Sequence, residues 1–312
     1  MGMRGIFYSA IAMMLIVPIV LYIIFYMDVT ETQLEEVSTK IKGDTLSGYA
    51  KSIDQDLPRI LEISSRRAIS TAISYIDANG EALDKADERL IEMMMNGTIY
   101  GSSFGLLGSG LVKEWVEAIK AKGRSYGLET NITVLDLDIK PYDSFNVLLS
   151  ASILINITDG KKMEIYRIYN EDIIISIEGF EDPLYGLETK GLIKRMFVKS
   201  AIHDLSSLDL AEENGLYTNS TDGASFLDRL EGNLETSPKY NSMTTKQIGL
   251  ETIVNLPDLS TYGLPIKSDQ SNIDYLYFSS ASHIGYPVNN SAKSWLKLDK
   301  GHATIYGVQL IE

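Results

Sequence analysis

From Phe145 to Ile157 the chain reads FNVLLSASILINI, with apolar side chains on every second residue: Phe145, Val147, Leu149, Ala151, Ile153, Ile155 and Ile157. A period of two is that of a strand with one face buried. Downstream, Asp159-Gly160 is a strong turn signal. Beyond it Met163, Ile165, Arg167 and Tyr169 continue the alternation, and Ile173, Ile175 and Ile177 make a further strand. Upstream, Ile132 and Val134 alternate in one phase, and Leu135, Leu137 and Ile139 in the other. That slip of one residue predicts a bulge between Val134 and Leu135. Consecutive strands with short connections predict an antiparallel meander, and the lack of alternating helices argues against a parallel nucleotide-binding sheet.

Nearer the amino terminus the period changes. Leu34, Val37, Ile41, Thr45, Tyr49, Ile53, Leu57 and Ile60 recur every three or four residues, which predicts a stalk helix. Stepping by seven from Leu34 meets Ile41 and then Gly48, Gln55 and Glu62, so no long coiled coil is supported. Gly43, Gly48 and Pro58 predict a break, with Pro58 in the first turn of a second helix. Leu61, Ala68, Ile69, Ala72, Ile73 and Ile76 line that helix, Arg66 and Arg67 are solvated, and Asn79-Gly80 caps it. Residues 81–95 and 111–122 read as further helices, with a glycine-rich loop from Gly97 to Gly110 between them. Past Ser200 the reading is a helix over 201–210, a polar turn-rich stretch over 214–222 and a short helix over 226–230. A segment punctuated by proline and glycine follows over 255–265, then a buried strand over 273–278, and a helix or strand within 295–308.

The first 27 residues stand outside this pattern. Ile6 to Met27 carries no charge, and 22 residues at 1.5 Å each make a helix of about 33 Å, enough to span a bilayer. Tyr8, Tyr22 and Tyr26 lie toward its ends, and Pro18 bends but does not end it. Arg4 precedes the run, whereas Asp28, Glu31, Glu35 and Glu36 follow it, which places the amino terminus inside and the bulk of the chain outside the cytoplasm. A cleaved secretory signal is disfavoured by the length of the apolar core, and FYMDVTETQ offers no small-residue cleavage site. The five residues ahead of the span are too few for a signalling domain, so a transmembrane sensor is disfavoured.

Met1-Gly2-Met3-Arg4-Gly5 followed directly by the apolar helix resembles the class III signal of archaeal type IV pilin-like proteins. The resemblance covers about 27 residues and implies clipping after Gly5, with the helix retained. Those families commonly show a polar residue just after the glycine, where this chain has Ile6; bacterial relatives carry Glu where it has Ala10.

With 28 Lys plus Arg against 42 Asp plus Glu, a formal charge of -14 repels phosphate backbones, so no nucleic acid is expected as a partner. The absence of cysteine removes disulfides, thiolate metal sites and cysteine nucleophiles. Sequons begin at Asn96, Asn131, Asn156, Asn219 and Asn289, candidate glycosylation sites that agree with an outer location. His203, His283 and His302 are scattered and form no metal-binding pattern, and no G-x-S-x-G elbow is present. Glu178, Glu181 and Asp182 in EGFEDPLYG read as solvated surface or a turn. DQSNID, from Asp269 to Asp274, lacks the glycine and closing glutamate of a calcium loop. No catalytic residue, metal or cofactor is therefore expected. Eighteen tyrosines against eight phenylalanines are the one bias with functional flavour, suited to adhesive or subunit interfaces.

The expected architecture is α+β. Residues 1–27 form the transmembrane anchor or signal segment, 28–128 a helical membrane-proximal region and 129–312 an antiparallel β-rich α+β region. The expected function is that of a single-pass surface protein of the cell membrane, structural or interacting, pilin-like or envelope-associated. Its partners are the lipid bilayer through residues 6–27 and further copies of itself or envelope proteins. The alternative is an anchored extracytoplasmic hydrolase, which a converging carboxylate pair or histidine cluster in a pocket would favour.

Overall fold

A computed structural model describes residues 3–104, 111–160 and 163–311, with side chains from residue 13 onward except those at 32 and 35. It is a mixed helix and sheet structure, α+β in class, with small antiparallel sheets and one long amino-terminal helix. That helix, α1 (Met3–Asn79), runs without interruption through Gly43, Gly48 and Pro58, where the sequence predicts a break. Proline inside a helix costs about 3 kcal/mol. Ile53, Leu57 and Leu61 around it are each at most 1 % exposed, and burying such a side chain contributes roughly 1.5–3 kcal/mol, so packing outweighs the local preference.

With 77 residues, α1 is about 115 Å long. Leu34, Val37 and Ile41 stay more than half exposed, and the helix sinks into the core only at Leu46, Tyr49 and Ala50. Two short elements follow: α2 (Ala86–Asn96), closed by Gly97 in the left-handed conformation, and the small hairpin of β1 (Thr98–Ile99) and β2 (Ser102–Ser103). The rest of the predicted glycine-rich loop, 105–110, lies outside the described residues. Helix α3 (Leu111–Ser125) leads into the sheet.

The meander is β3 (Glu129–Asp143), β4 (Asn146–Thr158) and β5 (Glu164–Ser176), antiparallel in the order β3-β4-β5. Its register slips between Val134 and Asp136, where the phase change predicts the bulge. The segments beginning at Met163 and Ile173 join in the single strand β5. One face of β4, from Val147 to Ile157, is at most 5 % exposed and shares a hydrophobic cluster with α1, α2 and α3. This core crosses residue 128, so the helical region and the sheet pack as one body.

The remaining chain is short elements in long connections: α4 (Pro183–Glu188), α5 (Leu205–Glu213), β6 (Tyr217–Ser220), α6 (Phe226–Leu230), α7 (Pro238–Asn241), β7 (Gly249–Thr252), α8 (Leu256–Thr261), α9 (Asp274–Phe278), β8 (Tyr286–Pro287), β9 (Lys297–Leu298) and α10 (Lys300–Ile305). Two readings are corrected here. Residues 217–220, read as turn, pair with β7 as a strand, and 273–278, read as a buried strand, contain α9. A run of consecutive apolar residues has no period that separates buried helix from buried strand. The antiparallel β6–β7 pair demands glycine at its end, since a Cβ on Gly249 would lie 2.3 Å from the Gly223 carbonyl oxygen.

Candidate functional site

Three features could carry function: the bare end of α1, and two buried ionic centres in the head. Along α1, the apolar side chains from Met13 to Met27 are all 46–80 % exposed. This helix is long and apolar enough to cross a bilayer. Arg4 and Gly5 have helical backbone within α1; the Arg4 side chain lies outside the described residues.

The first ionic centre is built on Arg229 of α6, whose side chain is fully buried. Its Nη1 donates to Asp182 Oδ2 at 2.6 Å, and its Nη2 to Asp274 Oδ2 at 2.8 Å and to the Leu250 carbonyl at 2.7 Å. Tyr217 donates its hydroxyl to Asp182 at 2.7 Å. Both carboxylates also hold helix starts: Asp182 caps α4 by accepting the Leu184 amide, and Asp274 accepts the Tyr275 amide. Burial pushes the Asp274 carboxyl up from its ordinary value, against the pull of Arg229. Burial would lower the Arg229 pKa, but the two carboxylates outweigh it and keep the guanidinium charged. Of Glu178, Glu181 and Asp182, read as solvated surface or a turn, Glu178 is exposed and in a turn, Glu181 is half-buried and Asp182 is buried. Glu181 pairs with Lys194 at 2.8 Å, and Asp182 is 3 % exposed. Likewise Asp274 of DQSNID is buried, whereas Asp269 is 91 % exposed.

The second centre is His302 on α10. Its Nδ1 lies 2.7 Å from Asp299 Oδ2 and its Nε2 3.2 Å from Glu251 Oε2 on β7. Tyr306 donates to the other Glu251 oxygen, and Ser271 to Asp299. Burial alone would lower the His302 pKa, yet the two carboxylates carry it up to about 10. Burial likewise works against Asp299, but the imidazolium holds its carboxyl well below the ordinary value. With an acid within hydrogen-bond distance of each ring nitrogen, His302 is a clamp between α10 and β7.

The signs for pH follow. A raised histidine pKa contributes fully below the unfolded value of 6.5 and is lost as pH rises through about 10. The depressed Asp299 contributes fully above its ordinary 3.8 and is lost in acid. In urea unfolding, His302→Gln should therefore lower the midpoint most between about pH 4 and 6.5, and the gap to the wild type should close toward pH 10. A gap that widened toward pH 10 would contradict the clamp.

His203 is exposed on the outer surface, 3.8 Å from Asp204. Among the described residues no group of three or more histidine and carboxylate side chains is placed to hold a metal ion. A cleft of about 420 Å³ is lined in part by Arg195, Glu212, Glu213 and Asp258. His302 does not line it, Glu212 is tied to Lys293 and Asn255, and Arg195 donates to the Ile253 carbonyl at 3.0 Å. The tyrosines are divided between core and surface: Tyr185, Tyr217, Tyr240, Tyr277 and Tyr306 are among the largest fully or nearly fully buried side chains, whereas Tyr22, Tyr26, Tyr100, Tyr126, Tyr166 and Tyr262 are exposed.

The sequon asparagines are spread over the head. Asn96 ends α2, Asn219 lies on β6, Asn289 follows β8, and Asn131 and Asn156 face each other across β3 and β4. Sequence reasoning did not single out Arg229 or Glu251. The Asp299-x-x-His302 spacing, a capping aspartate three residues before a histidine, was a local signal for part of the clamp. No protein family, no curated protein and no solved structure matches this chain.

Proposed function

We propose that this chain is a membrane-anchored, extracytoplasmic structural subunit, pilin-like in build, with α1 serving as both anchor and spine. The observation that carries this reading is the continuity of α1. Its apolar residues 13–27 are bare, while Leu46 to Ile76 of the same helix form the centre of the head's core. An apolar surface of that size finds a partner, in lipid or in other copies. Leu34, Val37 and Ile41 extend it beyond the uncharged run, where water would otherwise meet it. The basic residue before the run and the acidic ones after it support an inside amino terminus.

Mass spectrometry of the native amino-terminal peptide tests the pilin-like part, with a new terminus at Ile6 expected. A terminus at Met1 would reduce the reading to a plain signal anchor. Analytical ultracentrifugation tests the assembly part. The head expressed from Asp28 should be monomeric and the detergent-extracted full chain associated, whereas specific oligomers of the truncated head would place assembly outside the anchor.

A further inference from the structure

We propose that Asn131 carries an N-linked glycan lying across the open face of the β3–β4–β5 sheet, and that Asn156, its direct cross-strand neighbour, stays unmodified. The inference rests on the extracytoplasmic reading above. One face of the sheet packs on α1; the other holds residues in rows across the strands, Asn131–Asn156–Tyr166, Thr133–Leu154–Ile168 and Lys140–Leu148–Ile174. On that open face Tyr166 is 62 % exposed, Ile168 52 % and Ile174 50 %.

A sequon presents an amide and, two residues on, a hydroxyl; on a strand the period of two puts both on one face. Asn131 and Thr133 do so on an edge strand, both exposed, and among the described residues neither side chain has a hydrogen-bond partner. The other sequons are less free. Asn156 sits half-buried on the central strand, its Oδ1 is buried without a partner, and the Thr158 hydroxyl accepts the Gly160 amide at 3.0 Å. Thr98, which completes the Asn96 sequon, donates to Glu92, and Thr221, which completes that of Asn219, donates to Asp222. Asn289 itself reaches Gln309.

Directly opposed side chains on one sheet face stand about 4.5–5.5 Å apart, too close for a sugar on each. A glycan rooted at Asn131 crosses two strand spacings, about 9.5 Å, to reach the Tyr166 ring, on which a sugar face can stack. In the transfer, Asn131 Nδ2 bonds to the anomeric carbon of a lipid-phosphate-linked oligosaccharide. The bond from that carbon to the phosphate oxygen breaks, the lipid phosphate leaves with the electron pair, and Nδ2 gives up one proton. No oxidant or reductant is needed.

Glycopeptide mapping by mass spectrometry of the full chain from its native membranes should find sugar on the Asn131 peptide and none on the Asn156 peptide. Thr133→Val should abolish the modification and Thr158→Val leave it unchanged. A bare Asn131 or a glycosylated Asn156 overturns the inference. Protease shaving of sealed cells reports the side of the membrane separately. Sugar on Asn96, Asn219 or Asn289 with Asn131 bare, or an outer region digested but wholly bare, defeats this inference and spares the extracytoplasmic reading; a protected, bare region defeats both. A bare Asn131 whose sheet face is shielded from surface labelling only in the associated form would assign that face to a second copy, which also overturns it.

Discussion

Replacing both Leu15 and Ile16 with Asp is expected to move the protein from the membrane fraction to the soluble fraction. On the insertion scale a central Asp costs about 2.5–3.5 kcal/mol, so the pair costs about 5–7 kcal/mol, a loss of several orders of magnitude in partitioning. The head should not be affected, because Leu15 and Ile16 are 62 % and 58 % exposed and make no part of its core. Release with an unchanged near-ultraviolet circular dichroism spectrum therefore separates loss of the anchor from unfolding. Leu15→Ala with Ile16→Ala should stay in the membrane. Retention of the double Asp variant would show that these residues do not lie in lipid.

Arg229→Met should lower the unfolding free energy of the head by about 3–5 kcal/mol, because it strands Asp182 and Asp274, both fully buried, without a counter-charge. Against a typical total of roughly 5–15 kcal/mol, that loss is enough to leave part of the population unfolded. Arg229→Lys should fall between, keeping the charge but losing the fork that reaches Asp182, Asp274 and the Leu250 carbonyl together. Arg66→Met, at a surface pair with Glu62, should change stability by no more than about 0.5 kcal/mol. Urea unfolding of the detergent-extracted protein orders the variants, and an Arg229→Met midpoint equal to that of Arg66→Met would refute the account.

The meander was legible because its information is local. Alternation along β4 and the phase slip at Val134 are properties of a dozen adjacent residues, and the sheet followed them, bulge included. The short helix at 226–230 and the apolar run of α1 were legible for the same reason. The continuity of α1 was not, since Pro58 and the two glycines are local signals that a distant core overrides. Nor was α9, where four consecutive apolar or aromatic side chains, Tyr275 to Phe278, carry no period.

What the sequence by itself determined is therefore the class, α+β, the order and period of its regular segments, and an apolar end that no charge interrupts. The tertiary structure alone decided which polar residues are buried together. Arg229 meets Asp182 from 47 positions away and Asp274 from 45, and His302 meets Glu251 from 51. A carboxylate in a polar stretch looks the same in sequence whether water or a guanidinium will face it. Only the packed chain, by excluding the water, makes that choice, since a buried charge persists where an opposite one has been brought to it.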